Sequence, residues 1–548
     1  MANVKFDRKT FEKEIGKLDE KMQEKIALFG TPVESLDEET LELEIFPNRP
    51  DLLGYHGFKR SFLGFLGKKT GIKNYKINKP EKNYEVKVHS SVKSVRPYTV
   101  CAIVKGLKFD DKRIKEIVEI QEKLHSTVGR NRKKLAIGIY PLEKIALPIT
   151  YKALEPDKIK FQPLEYPREM SGLEILQRHP TGKEYAHLLA GKMKFPIFVD
   201  SKDQILSMPP IINSEKTGRV TLKTKEVFIE CSGFDVNVLK KCLNIFVSNL
   251  AEMGGKVYAV KVGGKLTPDF ENEKRNLSLE KTNRILGLNL TEKGIKNYLS
   301  RMCYDFRKGK VEIPPWRMDV LHEVDLIEDV GIAYGYENFD PEIPQVATIG
   351  KEDFKEIVKR KIAEILCGLG LLEVSNYHLT KKDDQFSKMG FSEKEEEGFI
   401  SLEGSKTDFS IMRKDLTHYI LKNISENSDS EYPQKNFEMG KVFYLDNQKR
   451  SVEEERLSVS FTPGNFTDLV QALKYLFTNL GLNYELKEES LLSPYFIDGR
   501  SADIIFDGEK IGKLGEVHPK ILKNWKIKMP VSLLEINLEK VFEKFKSK

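Results

Sequence analysis

Between Met318 and Gly350 there is neither lysine nor arginine, although 90 of the chain's 548 residues are basic. The same window carries eight acids: Asp319, Glu323, Asp325, Glu328, Asp329, Glu337, Asp340 and Glu342. Within it Val320, Val324, Ile327 and Tyr334 recur at helical spacing, with Leu326, Val330 and Ala333 beside them. The stretch therefore reads as a part-buried helix, with Asp319 placed as its N-cap. Asp325, Glu328 and Asp329 stand at i, i+3 and i+4 on one face, where like charges cost about 0.2–0.5 kcal/mol per pair. Asp319, one cap earlier, can point at the same spot. Four oxygen donors with no basic partner nearby suit a hard cation, Mg²⁺ or Ca²⁺ rather than zinc. The other reading is that acids near a helix start complement the macrodipole. Spacing alone leaves both open.

Length sets the scale of the rest: 548 residues predict three or four domains. With 32% charged and 40% hydrophobic residues, and no run near eighteen apolar positions, a soluble chain without a membrane span is expected. The first residues are charged from Lys5 on and lack a signal-peptide core. Five scattered cysteines without a CxxC pair argue against a zinc site or a disulfide framework and for a cytoplasmic location. A net charge of +7 permits a polyanionic partner without requiring one.

Taken in order, LELEIF at 41–46 alternates as a half-buried strand, and Asp51 is placed as the N-cap of a helix starting at Leu52. Arg49, in the turn between them, reads equally as a contact to an acidic partner or as a solvated turn residue. From about Tyr84 a mixed α/β region begins. Its loop Gly129–Lys134 holds four cations, of which Arg130, Arg132 and Lys133 are candidate contacts to a phosphate backbone; the alternative is solvated surface. The turn Ser207-Met208-Pro209-Pro210, together with the strand VFIECSGFD bearing Glu230 and Ser232, reads either as a pocket for a small polar group or as ordinary strand ends. No histidine is placed to serve as a base for a nucleophilic triad. Two helices, a ribbon and the acidic helix between Leu277 and Asn338 suggest a winged-helix-like arrangement, but that helix would repel a phosphate backbone. From Lys351 an amphipathic helix and several strands suit an antiparallel sheet backed by helices.

Four stretches, in order along essentially the whole chain, resemble the beta subunits of phenylalanine–tRNA ligases of the archaeal and eukaryotic type. They are FPNRPDLLGYHG, LSMPPIINSE, PPWRMDVLHEVDLIEDVGIAYGYENF and FIDGRSADIIFDGEKIGKLGEVHP. The resemblance implies an α+β multidomain chain. Residues 1–83 would form an N-terminal domain and 84–265 a mixed α/β editing domain that binds tRNA. Residues 266–340 would form a Mg²⁺-binding winged-helix-like domain, and 351–548 a class II synthetase-like antiparallel sheet domain without catalytic activity. It also implies Mg²⁺ on Asp319, Asp325, Glu328 and Asp329, and an editing pocket at Phe198, Ser207, Glu230 and Ser232 that hydrolyses tyrosine attached to the phenylalanine tRNA. Partners would be an alpha subunit in a heterotetramer of two alpha and two beta chains, that tRNA, and ATP and phenylalanine bound by the holoenzyme.

Amino-acid activation in a class II synthetase needs one arginine on the ATP α-phosphate and a second in a late glycine-rich motif. Here IMRKDLTHYIL…NFEMGKVF looks like a worn copy of the first, and no arginine follows Arg500. The late run Gly508–Gly515 carries lysines, which cannot reproduce a planar bidentate guanidinium. The chain is therefore expected to edit but not to charge. A free-standing trans-editing hydrolase of mischarged tRNA and a noncatalytic nucleic-acid-binding winged-helix protein are the rival readings.

Overall fold

The computed structural model describes residues 2–344, 346, 348–392, 397–489, 491 and 493–546. They divide into two compact units, Met1–Ile343 and Pro344–Lys548. Among the described residues no helix is long and apolar enough to cross a membrane.

In the first unit the strands Ala2–Asp7, Thr40–Ile45 and Val33–Leu36 form an antiparallel sheet in that order. Their period-2 pattern buries Val4, Phe6, Leu41, Leu43 and Ile45. The helix Tyr55–Phe65 covers that face, with Phe58 and Phe62 stacked at 5.2 Å between ring centroids. Fully burying one such ring contributes about 1.5–3 kcal/mol. The expected cap of this helix is corrected: Gly54 is the N-cap. Asp51 lies in the short 3₁₀ turn Pro50–Leu52, fully buried, where it takes both Nε and Nη2 of Arg49 at 2.9 Å. Arg49 is thus neither solvated nor free for a partner, because a buried carboxylate two residues away has to be neutralised.

The central sheet runs in the order Ile212–Asn213, Ile205–Met208, Phe195–Val199, Ile149–Leu154, Glu85–Val88, Lys256–Val262, Tyr98–Lys105, Glu226–Gly233, Leu135–Pro141. Helices Asp111–Ser126 and Val236–Glu252 bury Ile117, Ile120, Leu124, Leu239, Leu243 and Phe246 in the same core as Val227, Ile229 and Cys231 of the sheet. Alternation sends Phe228 to the opposite side with Tyr140, Tyr151 and Phe198.

A third sheet, Glu273–Asn276, Lys310–Ile313 and Asp305–Arg307, is flanked by the helices Leu279–Leu286, Glu292–Arg301 and Glu323–Tyr334. One apolar core runs from Ala2 to Ala333 through all of these parts. The strand Ile77–Asn78, which follows the helix Tyr55–Phe65, pairs in parallel with Lys256–Val262 of the central sheet.

The second unit is built on a seven-stranded sheet. Its order is Leu372–Glu373, Gln434–Leu445, Ser451–Thr462, Ser532–Asn537, Glu509–Val517, Phe496–Phe506, Glu485–Glu488, antiparallel except for the first pair. Leu457, Val459, Leu514, Leu534 and Ile536 face the helices Phe354–Gly368, Phe466–Asn479 and Glu539–Lys546. On the alternate positions stand Arg456, Ser458, Ser460, Lys513 and Glu535, so the other face is polar.

Candidate functional site

Glu230 sits in the middle of the strand Glu226–Gly233, paired across to Gly138 of the edge strand Leu135–Pro141. Its carboxyl is buried, and burial pushes its pKa up to about 8 against the opposing pull of Arg96 and of the Ser232 and Tyr140 hydroxyls. The Tyr140 hydroxyl donates to Ser207 Oγ at 2.7 Å and lies 3.4 Å from Glu230 Oε1 and 3.3 Å from Asn213 Oδ1. Glu230 Oε2 has no hydrogen-bond partner. A cavity of about 420 Å³ opens beside it at the sheet edge, lined by Glu230, Asn213, His125, Arg132, Pro210 and Ile137 among others. Space at this point depends on Gly138, where a Cβ would stand 2.6 Å from Glu230 Oε1 and 2.3 Å from the Tyr140 hydroxyl.

The four pocket residues expected from the resemblance do not share this cavity. Glu230 alone lines it. Ser207 reaches it through Tyr140, and Ser232 takes Nε of Arg96 at 3.1 Å on its hydroxyl and Nη2 at 2.6 Å on its carbonyl. Phe198 is core, stacked on Tyr151 at 4.4 Å. Phe198 pairs with Ser207 across the two strands, and a bulge after it shifts the register. Tyr140, Asn213, Arg96 and Gly138 were not singled out in the sequence; the alternating strand LAIGIY carries the only signal for two of them. His125 also lines the cavity, but its Nε2 accepts the Ile137 N–H at 2.8 Å, so its remaining proton points from Nδ1 to Glu122, 3.2 Å away. Burial lowers its pKa, and it offers no free base.

The basic loop divides. Arg130 and Lys133 are exposed, whereas Arg132 donates to the Ile211 carbonyl at 2.9 Å and to Glu122 at 3.0 Å, under the Tyr185 ring. As a free phosphate contact Arg132 is therefore corrected: it fastens the Pro209-Pro210 turn. Arg130, Asn131 and Arg132 all have positive φ, 47°, 52° and 62°. This tight left-handed run turns the Arg132 side chain inward.

The acidic helix runs over Glu323–Tyr334 with His322, not Asp319, as its N-cap. Asp325 completes the cap by accepting the Leu321 and His322 N–H groups at 2.7 Å each. Asp319 is held elsewhere. Arg317 grips it through Nε at 2.8 Å and Nη2 at 2.7 Å, and the same Nη2 reaches Asp329 Oδ2 at 2.7 Å. The Tyr304 hydroxyl also donates to that oxygen. Burial opposes ionisation of Asp319, but Arg317 outweighs it and holds the carboxyl below its usual range. The expectation of carboxylates without a basic partner is thereby overturned, since the guanidinium lies just outside the lysine- and arginine-free window. Among the described residues no three His, Cys, Asp or Glu side chains stand close enough to hold one metal ion. Glu328 is exposed and unpaired by Arg317; partial burial and then Asp329, Asp325 and Asp319 raise its pKa.

Residues 275–336 match the tRNA synthetase B5 domain, and residues 340–538 match the phenylalanyl tRNA synthetase beta chain CLM domain. Together they define a subunit of the aminoacyl-tRNA ligase class. Phenylalanine–tRNA ligase beta subunits of Thermococcus sibiricus and Archaeoglobus fulgidus are 40% and 38% identical, over 90% and 95% of both chains respectively. The crystal structure of an N-terminal fragment of the Pyrococcus horikoshii phenylalanyl-tRNA synthetase beta subunit superposes with a TM-score of 0.58 at 36% identity, covering 61% of this chain and 99% of that one. The chain belongs to the phenylalanine–tRNA ligase beta subunit family.

Proposed function

We propose that the chain acts with an alpha subunit, in the cytoplasm and as a heterotetramer of two alpha and two beta chains, to charge the phenylalanine tRNA, and that it removes tyrosine attached in error. Activation of phenylalanine with ATP falls to the alpha subunit. Supporting this, Arg413 of the worn motif is buried and bound through Nε to Lys441 O and through Nη1 to Glu438 and Asn376 O, which commits it to the frame of the sheet and leaves it buried away from a nucleotide.

The observation that carries the editing role is the unpartnered Glu230 Oε2 beside the 420 Å³ cavity. A tyrosyl phenol placed there satisfies that oxygen; a phenylalanyl ring leaves it buried and unpaired, at about 1–3 kcal/mol. An apolar charging pocket rejects an added hydroxyl weakly, so a second site that selects it positively completes the discrimination. Hydrolysis then uses a water held by the polar groups around Tyr140 and Asn213, not a side-chain nucleophile. Arg130 and Lys133 are proposed to meet the tRNA backbone, with Arg132 shaping their loop. The test is charging and tyrosyl-tRNA clearance by the alpha–beta pair. Gly138→Ala and Glu230→Ala should each leave phenylalanine charging intact and slow clearance by roughly 10–100-fold, the worth of one charged or well-aimed hydrogen bond. Clearance at the wild-type rate in both variants would refute the pocket.

For Mg²⁺, the donor set of Asp319, Asp325, Glu328 and Asp329 is hard oxygen, but Arg317 holds Asp319 and Asp329 and the helix cap holds Asp325, so the ion would have to displace Arg317 to gather them. The arrangement is not a closed ligand shell, and no catalytic step runs through it. Millimolar Mg²⁺ should raise the melting temperature of the wild-type chain and raise it less in Glu328→Gln. An equal rise in both excludes Glu328 as a ligand.

A further inference from the structure

On the polar face of the seven-stranded sheet lies a cavity of about 250 Å³, lined by Lys414, Lys513, Arg456, Asp415 and Glu535, with Phe391 and Tyr495 among its apolar walls. Its acids are fully committed to the frame. Asp415 Oδ1 accepts from Thr417 N at 3.0 Å and Thr417 Oγ1 at 2.7 Å, and Oδ2 accepts from Gln385 Nε2 at 2.6 Å. Glu535 Oε1 accepts the Leu416 N–H at 2.7 Å and Oε2 accepts Nη1 of Arg456 at 3.0 Å. The cations are less well matched. Lys414 Nζ donates to a neutral carbonyl, Glu397 O, at 2.7 Å. Lys513 Nζ donates to the Ser493 hydroxyl at 2.5 Å, and Glu489 is 4.0 Å away. Buried Arg456 Nε has no partner. Burial lowers the pKa of both lysines, with Asp415 and Glu489 respectively offsetting only part of it. Two part-buried ammonium groups and an unsatisfied guanidinium edge lining one small space are a cost to the fold that an entering anion would offset.

We propose that this cavity binds a small organic anion, its carboxylate or phosphate oxygens met by Lys414 and Lys513 and its body lying against the wall that Phe391 and Tyr495 form edge to face. The volume is below the ~300 Å³ at which sites for larger ligands begin, so the occupant is of amino-acid size and not a nucleotide. Nothing in this inference depends on the Glu230 cavity of the other unit.

Calorimetric titration of the alpha–beta assembly with benzoate and, separately, with inorganic phosphate tests it. Benzoate is expected to bind, and Lys414→Met and Lys513→Met should each weaken it roughly tenfold, as loss of one charged hydrogen bond does. Tighter benzoate than phosphate assigns the site to carboxylates; the reverse assigns it to phosphate esters. In the unmutated protein, benzoate should also protect Lys414 and Lys513 from acetylation by acetic anhydride, which keeps the test valid if a variant misfolds. No binding of either probe, binding unchanged by both substitutions, or no protection of the two lysines overturns the proposal.

Discussion

Replacing Glu438 by alanine is expected to destabilise the second unit by about 3–5 kcal/mol, the cost of leaving a buried charge unpaired. Arg413 and Glu438 are each only 2% exposed and meet at 2.6 Å. Glu438 also accepts from the Asn376 backbone N–H at 3.1 Å and its amide at 2.7 Å, so its loss strands three donors at once. Space for the pair is cut tightly: a Cβ on Gly440 would stand 2.3 Å from Arg413 Nη2. Replacing both partners by apolar residues, Arg413→Met with Glu438→Leu, should recover most of the loss, because the pair's own desolvation then also disappears. Trp525 reports on this unit and Trp316 on the other, so denaturant unfolding followed by fluorescence in a Trp316→Phe background measures it. A loss under ~1 kcal/mol for Glu438→Ala would show that water reaches the guanidinium.

Glu230→Gln should stabilise the first unit at pH 9 and make little difference at pH 4. The folded pKa of about 8 lies above the ordinary glutamate value of 4.5. Below both values the carboxyl is protonated in either state. Between them the folded chain keeps a proton that the unfolded chain releases, so stability falls as pH rises, and above pH 8 the whole penalty is present. At 1.36 kcal/mol per pKa unit the shift corresponds to an upper bound on the order of 4–5 kcal/mol. Melting temperatures of wild type and variant across pH 4 to 9 should converge at the acid end and separate at the alkaline end. Parallel curves would mean that Glu230 ionises freely in the fold. The same protonation bears on editing: at pH 7 the group is a neutral carboxylic acid that can both give and take a hydrogen bond at a phenol. An amide does the same, so Glu230→Gln should keep more clearance than Glu230→Ala.

Period-2 and helical patterns carried the elements well. The strands containing LELEIF and VFIECSGFD, and the helix of the acidic stretch, lie where the patterns put them. Side-chain partners were harder to read. Asp51 and Asp319 both have the spacing of N-caps, yet each folds back on an arginine two residues upstream, Arg49 and Arg317. A local ion pair in a buried turn outcompetes the cap, and nothing in residue spacing announces burial. Ser207 and Glu230 meet only because Tyr140, on a third strand, reaches both; that depends on sheet order, and sheet order is nonlocal. The strands Glu273–Asn276 and Ser532–Asn537 escaped notice, the first because it is almost entirely polar.

The shared interior of the first unit has a bearing on how the chain is made. The helix Tyr55–Phe65 leaves the ribosome early, but part of its surface is closed only by residues synthesised far later. Arg301 Nε binds the Phe65 carbonyl across 236 residues of sequence, and Trp316 lies 3.9 Å from the Arg60 guanidinium. At about 5–20 residues per second the nascent N-terminal segment waits roughly 10–50 s for these partners. Over that interval its phenylalanine-rich helix is open to holdase chaperones and to wrong contacts between neighbouring nascent chains on one message.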